Sequence, residues 1–84
     1  MAQQFIMAID AGTGSVRAVL FDPDGNQVGC EQREWEHLED PRYPGSMDFD
    51  WTNNWKLACD CTRGVLRQTG IDPGQVAAVS TTCM

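Results

Sequence analysis

Two apolar runs, Phe5–Ile9 and Ser15–Phe21, are separated by Asp10 and the short stretch Ala11-Gly12-Thr13-Gly14. This spacing restricts the fold more than any other feature of the chain. So few residues cannot form the long crossover that parallel strands need, so the two runs must pair as an antiparallel hairpin. Phe5–Ile9 is apolar at every position, which predicts a central strand buried on both sides. Ser15–Phe21 is rich in β-branched and aromatic residues, as a strand should be.

A second turn follows at once. In Asp22-Pro23-Asp24-Gly25-Asn26, proline presets φ and Gly25 takes the position where φ is positive. Gln27–Trp35 then reads as a third strand with Val28 and Cys30 on one face, which completes an antiparallel meander. His37 to Asp50 holds Pro41, Pro44 and Gly45 and reads as a loop. A helix is expected to start near Asp50 or Thr52, either of which can cap it. Its apolar stripe reads Trp51, Trp55, Ala58/Cys59, Thr62 and Val65/Leu66, with Gly70 as the left-handed stop. On that stripe the tryptophans are expected to be core or loop anchors rather than sugar-stacking platforms. Gly64 inside the helix costs about 1 kcal/mol against alanine, which points to close packing on the sheet. Asp72-Pro73-Gly74 is a connector. Val76–Val79 opens a fourth strand that runs to Met84. Strand, helix, strand demands a right-handed parallel crossover, which places the fourth strand beside the first.

Eighty-four residues make at most one domain, and a core this small is marginal. Twelve acidic residues stand against six basic ones. A chain with net charge −6 offers no basic face for a phosphate backbone, so nucleic acid is not expected as a partner. Seven of the acids lie between Glu31 and Asp50, the pattern of a solvated edge. Asp48 and Asp50 read as loop structure and helix cap rather than an acid/base pair, and His37 as a loop residue. Cys30, Cys59, Cys61 and Cys83 lack the paired spacing of a zinc site and read as free thiols in a reducing compartment. No apolar run is long enough to span a bilayer, and the N-terminus lacks a basic signal region. A cytoplasmic protein with no membrane partner is the expectation.

Two familiar phosphate sites are excluded. A Walker A loop needs Gly-Lys-Ser/Thr opening a helix, whereas Gly14 is followed by Ser15-Val16 and a strand. A dinucleotide fingerprint needs a third glycine where Arg17 stands. Two readings of the hairpin stay open. In one, glycines let the turn approach a triphosphate, Thr13 and Ser15 add hydroxyls, Asp10 faces a phosphate-bridging Mg²⁺, and Arg17 neutralises charge. In the other it is a plain hairpin, with Asp10 bonded to turn amides.

The whole stretch Asp10-Ala-Gly-Thr-Gly-Ser-Val-Arg-Ala-Val-Leu-Phe-Asp22 resembles the first phosphate motif of the actin–Hsp70–sugar kinase superfamily. Arg17-Ala18, Phe21-Asp22 and the Gly25 turn resemble the FGGY carbohydrate kinases in particular. "PGSMDFD" before a tryptophan-bearing helix is similar to a segment at the same place in that family. The β-β-β-α-β order follows the family's opening over all 84 residues.

The resemblance implies a partial ribonuclease H-like (actin-like ATPase) α/β domain, with residues 1–84 its N-terminal part. It implies ATP and Mg²⁺ as cofactors and a small sugar-like alcohol as substrate. By motif position, Asp10 is the metal-side carboxylate, Gly12, Thr13, Gly14 and Ser15 form the phosphate loop, Arg17 is a phosphate-side cation, and Met84 is a first substrate contact. The family's catalytic aspartate and adenosine site lie far downstream, so the 84 residues alone are expected to be inactive. A pentulose kinase and a non-catalytic nucleotide-binding module are the alternatives. An uncovered fourth strand is expected to self-associate through its open edge.

Overall fold

The computed structural model describes residues 4–12, 14–35, 37–38, 41–45, 48–49 and 51–83. Three strands, β1 (Phe5–Ala11), β2 (Ser15–Phe21) and β3 (Gln27–Glu34), form the expected antiparallel meander. A two-stranded ribbon follows, β4 (His37–Leu38) and β5 (Asp48–Phe49), then helix α1 (Trp51–Thr69) and strand β6 (Val76–Cys83). β6 lies parallel to β1, giving the sheet order β3-β2-β1-β6.

The local chemistry explains the turns. Asp22 Oδ1 accepts from the backbone N–H of Asp24 at 3.0 Å and of Asn26 at 2.8 Å, and Gly25 sits at φ 87°. That aspartate-anchored turn sets β2 against β3, with a register shift between Leu20 and Phe21. Gly70 takes φ 72° and its N–H closes on the Leu66 carbonyl at 2.9 Å, ending α1. The Asp72-Pro73-Gly74 connector is a short 3₁₀ turn, Pro73–Gln75. Asp72 caps it by accepting from Gly74 N–H at 2.8 Å, and Gln75 Oε1 accepts from Asp72 N–H at 3.0 Å.

The core lies between α1 and one face of the sheet. Phe5 and Met7 from β1, Val16, Ala18 and Leu20 from β2, and Cys61 and Val65 from α1 are buried there with Trp35. Three expectations need correction. β1 is covered on one face only: Ile6, on the opposite face, is 46% exposed. The proline-rich stretch after Trp35 pairs as β4 and β5 instead of running wholly as loop. The helix stripe is also rotated, with Asn54, Cys61 and Val65 buried, whereas Trp51 and Trp55 are 73% and 69% exposed.

The cause of that rotation is where α1 sits. It packs on β2 and β3. A Cβ on Gly64 would lie 3.1 Å from the Glu31 side chain, and one on Gly29 would collide with the Thr69 methyl and approach Val65 to 3.2 Å. The two glycines let the helix settle close on β3. Gln68 fastens it there, accepting from the Cys30 N–H at 3.2 Å. The tryptophans are thereby turned toward the β1–β6 half of the sheet, where no described element lies above them. Of the proposed caps, Thr52 lies inside the helix and Asp50 falls outside the described residues.

Candidate functional site

The candidate site stands at the C-terminal end of β1. Strand register sets four residues in one row across the whole sheet: Thr82 of β6, Asp10 of β1, Arg17 of β2 and Gln32 of β3. The row lies on the face opposite α1, because alternation sends Met7, Ile9, Val16 and Ala18 toward the helix.

Asp10 and Arg17 are direct cross-strand partners, yet they form no ion pair. The Arg17 guanidinium donates instead to Gln32 Oε1 at 3.0 Å. The Asp10 carboxylate is exposed and has no hydrogen-bond partner among the described residues. The plain-hairpin reading required a bond from Asp10 to the turn amides, and none is present among them.

The turn is closed by its own backbone. Gly12 N–H donates to the Ser15 carbonyl at 2.8 Å, and Trp35 N–H donates to the Gly14 carbonyl at 3.1 Å. The second bond ties the hairpin tip to the end of β3. The first occupies the Gly12 N–H, so that amide is turned into the hairpin rather than toward a ligand. Thr13 and Met84 lie outside the described residues.

The fold itself does not ask for glycine here. Neither Gly12 nor Gly14 has a positive φ. A Cβ on Gly12 would meet only the Ser15 carbonyl oxygen at 3.6 Å, an ordinary contact, and one on Gly14 would meet nothing within 4 Å. Space beside an unpaired carboxylate is thus kept clear by residues that the backbone does not require to be glycine. Such a surface suits phosphate oxygens. The same residues fit a divalent ion only in part. No group of three or more His, Cys, Asp or Glu side chains able to hold a metal occurs among the described residues. One carboxylate meets the need of an Mg²⁺ that takes its remaining ligands from water and phosphate.

Asp10 and Arg17 stand out in the motif, whereas Gln32 and Thr82 align with them only through β2–β3 and β1–β6 pairing, which no local pattern shows. The alternation within Gln27–Trp35 placed Gln32 on the face of Val28 and Cys30, and a register for the meander would have brought it to Arg17.

An antiparallel meander, a parallel crossover and a glycine hairpin with a carboxylate at its base are the opening elements of an actin-like ATPase type of domain. Residues 5–84 match the model of the FGGY family of carbohydrate kinases, N-terminal domain, and the chain belongs to that family. It is 53% identical over 83 residues to the autoinducer-2 kinase of Escherichia coli (strain K12), covering 99% of this chain and 16% of that relative. The autoinducer-2 kinase of Yersinia enterocolitica is 52% identical over 80 residues, covering 95% of this chain and 15% of that relative. Among solved structures, gluconate kinase from Lactobacillus acidophilus superposes with a TM-score of 0.71 at 23% identity, over 99% of this chain and 16% of that one. That likeness carries the fold, a partial actin-like ATPase domain. The chain spans about a sixth of the length of these relatives.

Proposed function

We propose that these residues form the opening segment of a kinase that transfers the γ-phosphoryl group of ATP, with Mg²⁺, to a hydroxyl of a small sugar-like molecule. The substrate proposed is the autoinducer-2 signal in its linear dihydroxypentanedione form, phosphorylated in the cytoplasm as part of quorum sensing. The identity shared with autoinducer-2 kinases along nearly the whole chain supports that choice over a pentulose.

The observation that carries the reading is the pairing of a free Asp10 carboxylate with glycines that the backbone does not require. Mg²⁺–ATP, when bound, supplies the transferable phosphoryl group and the charge that steadies it. Asp10 would be the carboxylate that holds the metal at this end of β1. Gly12 and Gly14 leave room for phosphate oxygens, and Thr13 and Ser15 offer hydroxyl donors. Arg17, held at one nitrogen by Gln32, presents its other donors to phosphate charge. Met84 is proposed as the first substrate contact. The general base and the adenosine site belong to the rest of such an enzyme, so the 84 residues alone are proposed to be inactive.

In the full-length protein, Asp10→Ala should abolish phosphorylation and leave sugar binding largely intact. Unchanged turnover would remove Asp10 from the mechanism. Metal-dependent turnover by the 84 residues alone would overturn the expectation of an inactive segment.

Self-association is also proposed. β3 has its outer edge partly closed by Gln68 of α1, whereas β6, among the described strands, pairs with β1 alone, and its described residues Ala77 to Thr82 are all exposed. That strand carries no charge and no proline to deter pairing.

A further inference from the structure

Opposite charges set directly across a pair of strands attract one another. Arg17 has two carboxylates on its own face of the sheet. Asp10 stands opposite it on β1, and Glu34 stands on β3 two residues along from Gln32, which alternation puts on the same side. Arg17 bonds to neither carboxylate. Its hydrogen bond among the described residues runs from Nη2 to Oε1 of Gln32 at 3.0 Å.

We propose that Gln32 is a positioning residue for the nucleotide site: by holding Arg17 it prevents a cross-strand ion pair with Asp10 that would close the site on itself. This rests on the function proposed above, in which Asp10 holds the metal and Arg17 faces phosphate charge. The two groups need different ligands and are direct neighbours, so each is the other's nearest competitor. A pair formed between them occupies both, and a nucleotide must break it before it can bind.

An amide suits this task. A carboxylate at position 32 would hold the guanidinium but cancel its charge, and an apolar side chain would release it. The neutral Oε1 accepts one N–H and leaves the positive charge and the remaining donors in place. The strand order supplies the direction of pull. Gln32 meets Arg17 from the side away from Asp10, so their bond draws the guanidinium across β2 toward β3. An exposed ion pair shifts an equilibrium only a few-fold, and a ligand that binds the open arrangement alone loses apparent affinity by the fraction that is closed. Loss of Gln32 should therefore weaken nucleotide binding about 3- to 5-fold. Saturating nucleotide holds the site open, so the loss should fall on KM and spare kcat.

The test is calorimetric titration of the full-length protein with Mg²⁺ and a non-hydrolysable ATP analogue, beside steady-state kinetics. The wild type, Gln32→Ala, Arg17→Ala and the double variant are compared. Gln32→Ala should weaken analogue binding by that factor, raise KM for Mg²⁺–ATP in proportion, and leave kcat and sugar affinity within about 2-fold. In the Arg17→Ala background it should change nothing, because a residue that acts through the guanidinium has no effect without it. Gln32 is exposed on β3, so its loss should leave the fold intact. Gln32→Val, which removes the acceptor with a strand-favouring side chain, should match Gln32→Ala. Full affinity in both Gln32 variants, with weak binding in Arg17→Ala, would overturn the positioning and leave the phosphate role of Arg17 standing. An equal loss from Gln32→Ala with and without Arg17 would also overturn it, by showing that Gln32 acts by itself. Full affinity in Arg17→Ala would overturn the phosphate-side reading of Arg17 and the role of Gln32 with it.

Discussion

Asp10 and Arg17 face each other across β1 and β2, yet the guanidinium turns away to Gln32 Oε1 at 3.0 Å and leaves the carboxylate unpaired. An exposed carboxylate with no partner contributes little to folding. Asp10→Asn should therefore change stability by less than ~0.5 kcal/mol in urea denaturation. On the function proposed, the same substitution in the full-length protein should remove most phosphorylation. A large loss of stability would show that Asp10 is a structural residue after all.

Gly14 offers the sharpest separation of fold from function. Its φ is not positive and a Cβ there meets nothing within 4 Å among the described residues, so Gly14→Ala should stabilise the chain by about 0.4–1 kcal/mol through the unfolded state. In the full-length protein the added methyl should weaken nucleotide binding. Thermal melting of the 84 residues and nucleotide titration of the full-length protein are the two measurements. A stabilised variant with unaltered affinity would mean that nothing approaches Gly14.

Gly29 behaves in the opposite way. A methyl there collides with the Thr69 methyl and crowds Val65, so Gly29→Ala should cost about 1–3 kcal/mol. Thr69→Ser removes the obstructing methyl but keeps the hydroxyl, which donates to the Val65 carbonyl at 2.8 Å. The double variant should recover a substantial part of the loss in a double-mutant cycle.

Acid sensitivity is expected from the turn at Asp22. Backbone donation from Asn26, foremost, with further donation from the Asn26 side chain and from Asp24, holds its carboxyl below the ordinary aspartate value. A carboxyl with a lowered folded-state pKa adds stability above its unfolded pKa of about 3.9 and loses it as pH falls through the folded value. Asp22→Asn should flatten the acid limb of a stability–pH profile below about pH 4. An unchanged acid limb would assign that dependence elsewhere.

Thiol reactivity should sort by position. Cys61 is buried, its Sγ donates to the Val16 carbonyl at 3.5 Å, and burial foremost pushes its pKa up. Cys30 and Cys59 are half-buried. Alkylation of the native chain followed by mass spectrometry should modify Cys30 and Cys59 well before Cys61, which should react only on unfolding. Early labelling of Cys61 would mean that α1 lifts from β2 readily.

Most of the architecture was legible in the order of residues, because turns and strands here are written locally. The Asp22–Asn26 turn, the Gly70 stop and the Asp72 connector each carry their own chemistry, and the meander follows from them. The rotation of α1 was not legible. A periodic stripe through Trp51 and Trp55 fits a helix face well, but which face meets the sheet depends on Gly29 and Gly64, far apart in sequence and adjacent only in space. The pairing within 37–49 was hidden for a related reason: ribbons of two residues have no periodicity to detect. Within the site, Asp10 and Arg17 are visible from the motif, whereas Gln32 and Thr82 join them through pairings that no local pattern reveals.

The parallel pairing of β1 with β6 has a consequence for how the chain comes together. Phe5 meets Val76 across most of the polypeptide, whereas β1, β2 and β3 meet their neighbours through short turns. The meander can form as soon as its residues leave the ribosome, but β6 must wait for α1 and pays the entropy of closing the longest loop among these pairings. Docking of β6 is thus expected as the late event of folding. Changes in that strand should register chiefly in the rate of unfolding, and changes in the β1–β2 hairpin in the rate of folding.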